Sequence, residues 1–256
     1  MRKYLWIDLK IMFRIPLSVF FTIGYPLIMM VIIMLSYGNA SIGGGYTLID
    51  KYFMIAIGIG ILPLTLISFP MWIGNNLESK SMQRLSFFRV KAWKMVIGDI
   101  LAHLILSLIS MAIDIVFAYI VFNLHFPDIK YFLGFLIQYI LAVVICMLIG
   151  GTFSFLFKNT QILMPFGLVV MFVLYMFCGV FITFDELPIT FKNIAKFIPM
   201  KYAMNDFFYI WTEEYVWNET FIKLSLIYLI IFSTILLLLI WKYSKKKNFN
   251  NEGGIK

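Results

Sequence analysis

His103 and His125 are the only histidines, and Asp99 precedes His103 by four residues, so a helix would stack that carboxylate and imidazole on one face. Asp114 lies further along the same apolar stretch. Ionisable groups in such a setting are candidates for a proton relay or a polar substrate contact. The competing reading is structural. Asp99 falls near the start of its helix, where a carboxylate favours the N-terminus and reaches water. Asp114 would be a packing or gating group, satisfied by a tyrosine or a backbone group. Membrane proteases and metal-dependent hydrolases need histidine clusters, paired acids, or a placed nucleophile and base. The sequence has none of these and no metal site. Cys146 and Cys178 both fall in apolar runs, where free cysteine acts as a small apolar side chain, and no disulfide framework is spaced along the chain. The glycine run at 43–45 lacks the lysine of a phosphate-binding loop, so this chain has no catalytic residues for hydrolysing a nucleotide by that route.

The elements that carry these residues are membrane spans. A hydrocarbon core of about 30 Å needs roughly 20 apolar residues of helix, and runs of that kind lie at 16–35, 52–72, 97–122, 132–157, 162–184 and 221–241. Basic loops resist translocation. One side collects Arg2, Lys3, Lys10 and Arg14, then Lys80, Arg84, Arg89, Lys91 and Lys94, then Lys158, and finally the lysines of the tail from Lys242. The other side has only Lys51, Lys130, Lys192, Lys196 and Lys201, with Lys223 just inside the last span. The expectation is a multi-pass protein of the cytoplasmic membrane with both termini cytoplasmic.

At 62% hydrophobic residues and a mean hydropathy of +0.93, residues 1–256 contain no polar stretch long enough for a soluble domain. The fold class is all-α integral membrane, a single permease-like domain of six spans. The net charge of +8 sits at membrane edges, where it meets anionic lipid headgroups rather than nucleic acid. The first apolar run lacks a small-residue cleavage site and reads as an uncleaved span.

Three segments outside the spans stand out. Residues 1–15 place Leu5, Leu9, Met12 and Phe13 on one side of a helix and Lys3, Lys10 and Arg14 opposite, a pattern for an interfacial helix. Residues 73–96 form the one sizeable cytoplasmic connection. Its charges alternate with Leu85, Phe87 and Phe88, which suits a short amphipathic helix that docks a partner. Residues 185–220 are semi-apolar, net acidic and broken by Pro188 and Pro199; they suit re-entrant or interfacial helices between the fifth and sixth spans.

The stretch 177–207, FCGVFITFDELPITFKNIAKFIPMKYAMNDF, resembles the signature of the type-2 ABC transporter permeases, the membrane subunits of ATP-binding-cassette exporters. The matching positions are Cys178-Gly179, the aromatics from Phe181 to Phe184, Glu186-Leu187-Pro188, the amphipathic run 191–197, and Pro199 followed by Tyr202-Ala203. Arg14-Ile15-Pro16 and Tyr25-Pro26 are similar to the family's first-span start, and 78–101 is similar to its coupling loop. Cys178 stands where serine is common in the family, and the coupling loop lacks the usual proline.

The resemblance implies a half-transporter. A second permease copy, identical or similar, and two cytoplasmic ABC ATPase subunits would complete it, with ATP and Mg held in the ATPases and no cofactor here. It implies coupling to the ATPase through Glu78, Arg84 and Phe88, and an outer gate at Gly179, Glu186, Pro188 and Pro199. Asp99, His103 and Asp114 remain intramembrane polar candidates. The expected cargo is amphipathic: a drug, peptide or lipid-like molecule. The alternative from another class is a non-transporting sensor or immunity protein that binds an amphipathic peptide.

Overall fold

The computed structural model describes residues 2–12, 19–88, 90–181 and 184–252. Helix α1 (Arg2–Met12) precedes α2 (Phe20–Tyr37), a small hairpin of β1 (Ser41–Gly43) and β2 (Tyr46–Thr47), and α3 (Leu48–Glu78). Then come α4 (Ser81–Phe87), α5 (Ala92–Phe122), α6 (Ile129–Phe157) and α7 (Thr160–Phe177). The short α8 (Ile189–Ala195) and α9 (199–211) lead to α10 (Glu219–Glu252). Six of these, α2, α3, α5, α6, α7 and α10, are long and apolar enough to cross a membrane. The chain is an all-α, multi-pass integral membrane protein.

Several helices extend past the apolar runs that announce them. Thr47 and Asp50 form a capping box that starts α3 ahead of its apolar run; the Thr47 backbone N–H donates to Asp50 Oδ2 at 2.7 Å. At its other end α3 runs on to Glu78, and α5 begins at Ala92, so much of 73–96 is helix. Hydropathy marks where burial in lipid ends, whereas backbone hydrogen bonding continues until a residue stops it. Lys80, held at φ 56°, makes one such stop.

The centre of the bundle is α3, almost all of whose apolar stretch is buried by the other helices. Its middle, Leu64–Ser68, is a π-helical turn. There the Thr65 and Leu66 carbonyl oxygens face Gly150 of α6 and Gly167 of α7, and a Cβ on either glycine would come within 2.3 Å of the facing oxygen. Without a strong hydrophobic drive in lipid, helices associate through such close backbone approach. Helices α2, α7 and α10 lie at the periphery, with most of their apolar stretches uncovered by protein. Leu237 and Leu238 on α10 are examples, exposed apolar side chains suited to lipid. Helix α10 packs chiefly along α6, while α1 packs against α5.

Candidate functional site

Side chains that could carry function gather at three levels of the bundle. At the end where α3 finishes, the Glu78 carboxylate reaches the start of α7. It accepts from the Thr160 backbone N–H at 2.6 Å through Oε1 and from the Thr160 hydroxyl at 2.9 Å through Oε2. The first turn of a helix has unpaired N–H groups and a positive dipole end, so a carboxylate there both caps and neutralises. Asn159 adds the usual cap, its Oδ1 accepting from the Gln161 N–H at 2.8 Å. Glu78 thus fixes the place from which α4 departs. Ser79 and Ser81 hydrogen-bond across that turn. Within α4 Met82 is buried and Leu85 half-buried, while Arg84 is exposed and Phe87 and Phe88 are 70% and 79% exposed. A short helix anchored on one side, with the residue that follows it, therefore presents two largely exposed aromatic rings and a guanidinium on the other.

Near the same end, α1 turns Asp8 and Met12 toward the bundle, while Trp6, Ile7, Lys10 and Ile11 point away. Of the expected faces, Met12 is buried, Leu9 packs against the core and Lys10 is exposed, and the buried side also carries an acid; Phe13 and Arg14 lie outside the described residues. The carboxyl of Asp8 is in hydrogen-bonding contact with that of Asp99. Burial pushes the Asp8 carboxyl up to about 6, an effect the contact with Asp99 partly offsets. Asp99 Oδ1 also accepts from the Trp72 indole N–H at 3.1 Å. Asp99 is 0% exposed, which overturns the expectation that it reaches water. Its neighbour His103 has Nδ1 on the Asp99 carbonyl oxygen at 2.8 Å, and its ring is framed edge-on by Phe69 and Trp72. A carbonyl can only accept, so Nδ1 carries the proton and Nε2, which has no partner, faces apolar surroundings. Asp99 and His103 are brought together as the spacing implied, but through backbone oxygen rather than as a carboxylate–imidazole pair.

In mid-bundle, Ser110 donates to the Thr22 carbonyl at 2.6 Å, an oxygen within the π-helical turn Phe20–Gly24, and it approaches Asp114 Oδ2 at 3.5 Å. Tyr139 pairs with Ser107 rather than with Asp114. Asp114 therefore has neither the tyrosine nor the backbone partner expected for it, and its Oδ1 has no partner in the structure. Among the described residues no group of His, Cys, Asp and Glu side chains could hold a metal ion.

At the opposite end, Gly179 has φ +81°, and a Cβ there would lie 3.0 Å from the Phe184 nitrogen. The Lys201 ammonium bonds both carboxylate oxygens of Asp206, at 2.8 and 2.9 Å, and sits 4.6 Å from the ring centres of Phe184 and Tyr202. Asn205 donates to the Cys178 carbonyl at 2.7 Å, which ties α9 to the end of α7. Pro188 immediately precedes α8, and Pro199 is the first residue of α9. Both prolines stand where a missing N–H costs nothing. Glu186 is exposed and closes a 3₁₀ turn, and no side chain caps α8.

The ABC-2 type transporter family profile matches residues 2–211, from the first helix through the end of α9. The chain belongs to the ABC-2 type transporter family. A comparison with curated proteins finds no match. The protein is thus a permease subunit of an ABC transporter, a role paired with an ABC ATPase. In this permease the matched region covers all three levels of polar side chains. Reasoning from sequence missed Asp8, Thr160, Lys201 and Asp206 as participants. Asp8 alone had a readable signal, an acid four residues before Met12 on the side of α1 that turns inward.

Proposed function

We propose that this permease is the membrane half of an ATP-driven exporter that moves an amphipathic, drug-like, peptide or lipid-like molecule outward across the cytoplasmic membrane. A cytoplasmic ABC ATPase docks on α4, and a second permease copy completes the pathway. ATP and Mg are held by the ATPase; the permease supplies the path and the coupling surface. The observation that supports this reading is α4 itself: a helix anchored through Met82 beside the Glu78 cap, with Arg84, Phe87 and the following Phe88 exposed. Phenylalanine and arginine are among the residue types enriched at protein interfaces. The apolar, aromatic character of the bundle supports an amphipathic cargo over a small ion.

The test is co-purification with the cognate ATPase and measurement of cargo-stimulated ATP hydrolysis. Replacing Arg84, Phe87 and Phe88 together by alanine should lower the yield of complex at least tenfold while membrane insertion is unchanged. An undiminished complex with unaltered stimulation would remove α4 from the interface.

A further inference from the structure

Asp114 is 1% exposed, and no hydrogen bond reaches its Oδ1. Its other oxygen fares little better. The Ser110 hydroxyl has one hydrogen, which goes to the Thr22 carbonyl at 2.6 Å. Ser110 Oγ stands 3.5 Å from Asp114 Oδ2, wider than the ~2.5–3.0 Å across which two oxygens share a hydrogen. Tyr139, facing α5 from α6, is committed to Ser107, and His103, further back along α5, to the Asp99 carbonyl. No lysine or arginine occurs at positions 15–50, 52–79, 95–129 or 131–157, so the spans around Asp114 hold no basic side chain to pair with it. An unpaired carboxylate in an apolar bundle is costly, and the charge that balances it comes from outside the polypeptide.

Further oxygens belong to the same corner. Pro26, four residues after Thr22, has no N–H, so the Thr22 carbonyl in the π-helical turn Phe20–Gly24 lacks its helical donor. Gly60 of α3 lets this turn in, since a Cβ there would stand 3.0 Å from the Thr22 oxygen. That oxygen keeps one lone pair beyond the one Ser110 uses. Thr22 Oγ1, on a residue 2% exposed, has no partner. One carboxylate, hydroxyls and a carbonyl at an irregular turn are the oxygen ligands of a hard cation. Oxygens that share such an ion at about 2.3–2.6 Å lie roughly as far apart as Ser110 Oγ and Asp114 Oδ2. Among the described residues no group of three acids, histidines or cysteines forms that would suit a divalent metal. A single carboxylate balances a single positive charge.

We propose that Asp114, Ser110 and Thr22 form a site for one sodium ion, which ties the π-helical turn of α2 to α5. The inference stands on this corner alone and is independent of the cargo and of ATPase docking.

Thermal unfolding of the whole permease in sodium chloride, against choline chloride at equal ionic strength, reads the binding. Sodium should raise the unfolding temperature by about 2–4 °C with a saturable dependence on concentration. Choline, too bulky for a buried site, should not. In Asp114→Asn the sodium-dependent rise should vanish. Thr22→Val and Ser110→Ala each remove one oxygen and keep the charge, so they remain informative if Asp114→Asn fails to fold. Each should raise the sodium concentration at half-effect about threefold or more. Equal wild-type unfolding temperatures in the two salts, or a sodium response unchanged in Asp114→Asn or in both hydroxyl variants, would overturn the site.

Discussion

Glu78, the last residue of α3, holds the first residue of α7: both of its oxygens are spent on Thr160. The central span and a peripheral span therefore share one carboxylate at the point where the chain turns into α4. Glu78→Ala removes the cap and should cost about 0.5–2 kcal/mol of stability. Glu78→Gln, which keeps an acceptor for one of the two bonds, should lose less. Thermal unfolding of the purified permease orders the variants. ATP hydrolysis in the assembled complex should persist in Glu78→Ala while its stimulation by cargo falls. Equal unfolding temperatures for wild type and Glu78→Ala would show that the contact carries no stability.

How much of this was legible in the sequence depended on the range of the interaction. The six spans were readable because apolar length is a property of residue types taken in order. The helix starts at Ile189 and Pro199 were readable because proline acts on its own backbone. The role of Glu78 was not, since Thr160 is 82 residues away and no local pattern links them. Asp99 looked accessible because its place near a helix start was visible, while the arrival of Asp8 and Trp72 over it was not. The π-helical turn at Leu64–Ser68 was equally hidden. Two of its backbone oxygens fit against glycines on other helices, an approach that cannot be read along the chain.

That fit predicts a sharp intolerance. Gly150→Ala and Gly167→Ala each place a methyl 2.3 Å from a backbone oxygen of α3, which cannot swing aside as a side chain could. Overpacking of this kind costs about 1–3 kcal/mol, and here it falls on the most buried helix. Gly151→Ala is the control, because its nearest neighbour is a ring carbon of Phe69 at 3.3 Å. Yields of folded permease after detergent extraction should drop for the first two variants and stay close to wild type for the third. Equal yields for all three would mean that α3 can shift to make room.

Orientation is open to a direct chemical test. Exposed Ser41 lies in the hairpin after α2, and exposed Lys91 lies between α4 and α5, at the opposite end of the bundle. From the distribution of basic residues we propose that Lys91 faces the cytoplasm. Ser41→Cys should react with an impermeant maleimide in intact cells, and Lys91→Cys only after lysis. Ser41 is a better reporter than Asn39, whose side chain is engaged with the Phe122 carbonyl and the Ile49 N–H. Labelling of Lys91→Cys from outside would invert the assignment.

At the other end of the bundle, Lys201 and Asp206 form a partly buried pair, with side chains 12% and 20% exposed. Lys201 also faces Phe184, the residue whose nitrogen closes against Gly179. The ion pair and the left-handed glycine therefore brace one corner between α7 and α9. Removing either charge alone leaves its partner poorly solvated, so Lys201→Met and Asp206→Asn should each destabilise the permease by about 1–3 kcal/mol. Removing both leaves no orphaned charge. The double variant should be less destabilised than the sum of the singles, by an interaction energy of about 1 kcal/mol. Gly179→Ala should destabilise independently of the pair's charge, because a Cβ at positive φ costs about 1 kcal/mol even before it meets Phe184. If this corner gates release, all three single variants should lower export in vesicles while leaving ATPase binding intact. Additive effects for Lys201→Met and Asp206→Asn would show that the two charges act independently, and undiminished export would confine the corner to a structural role.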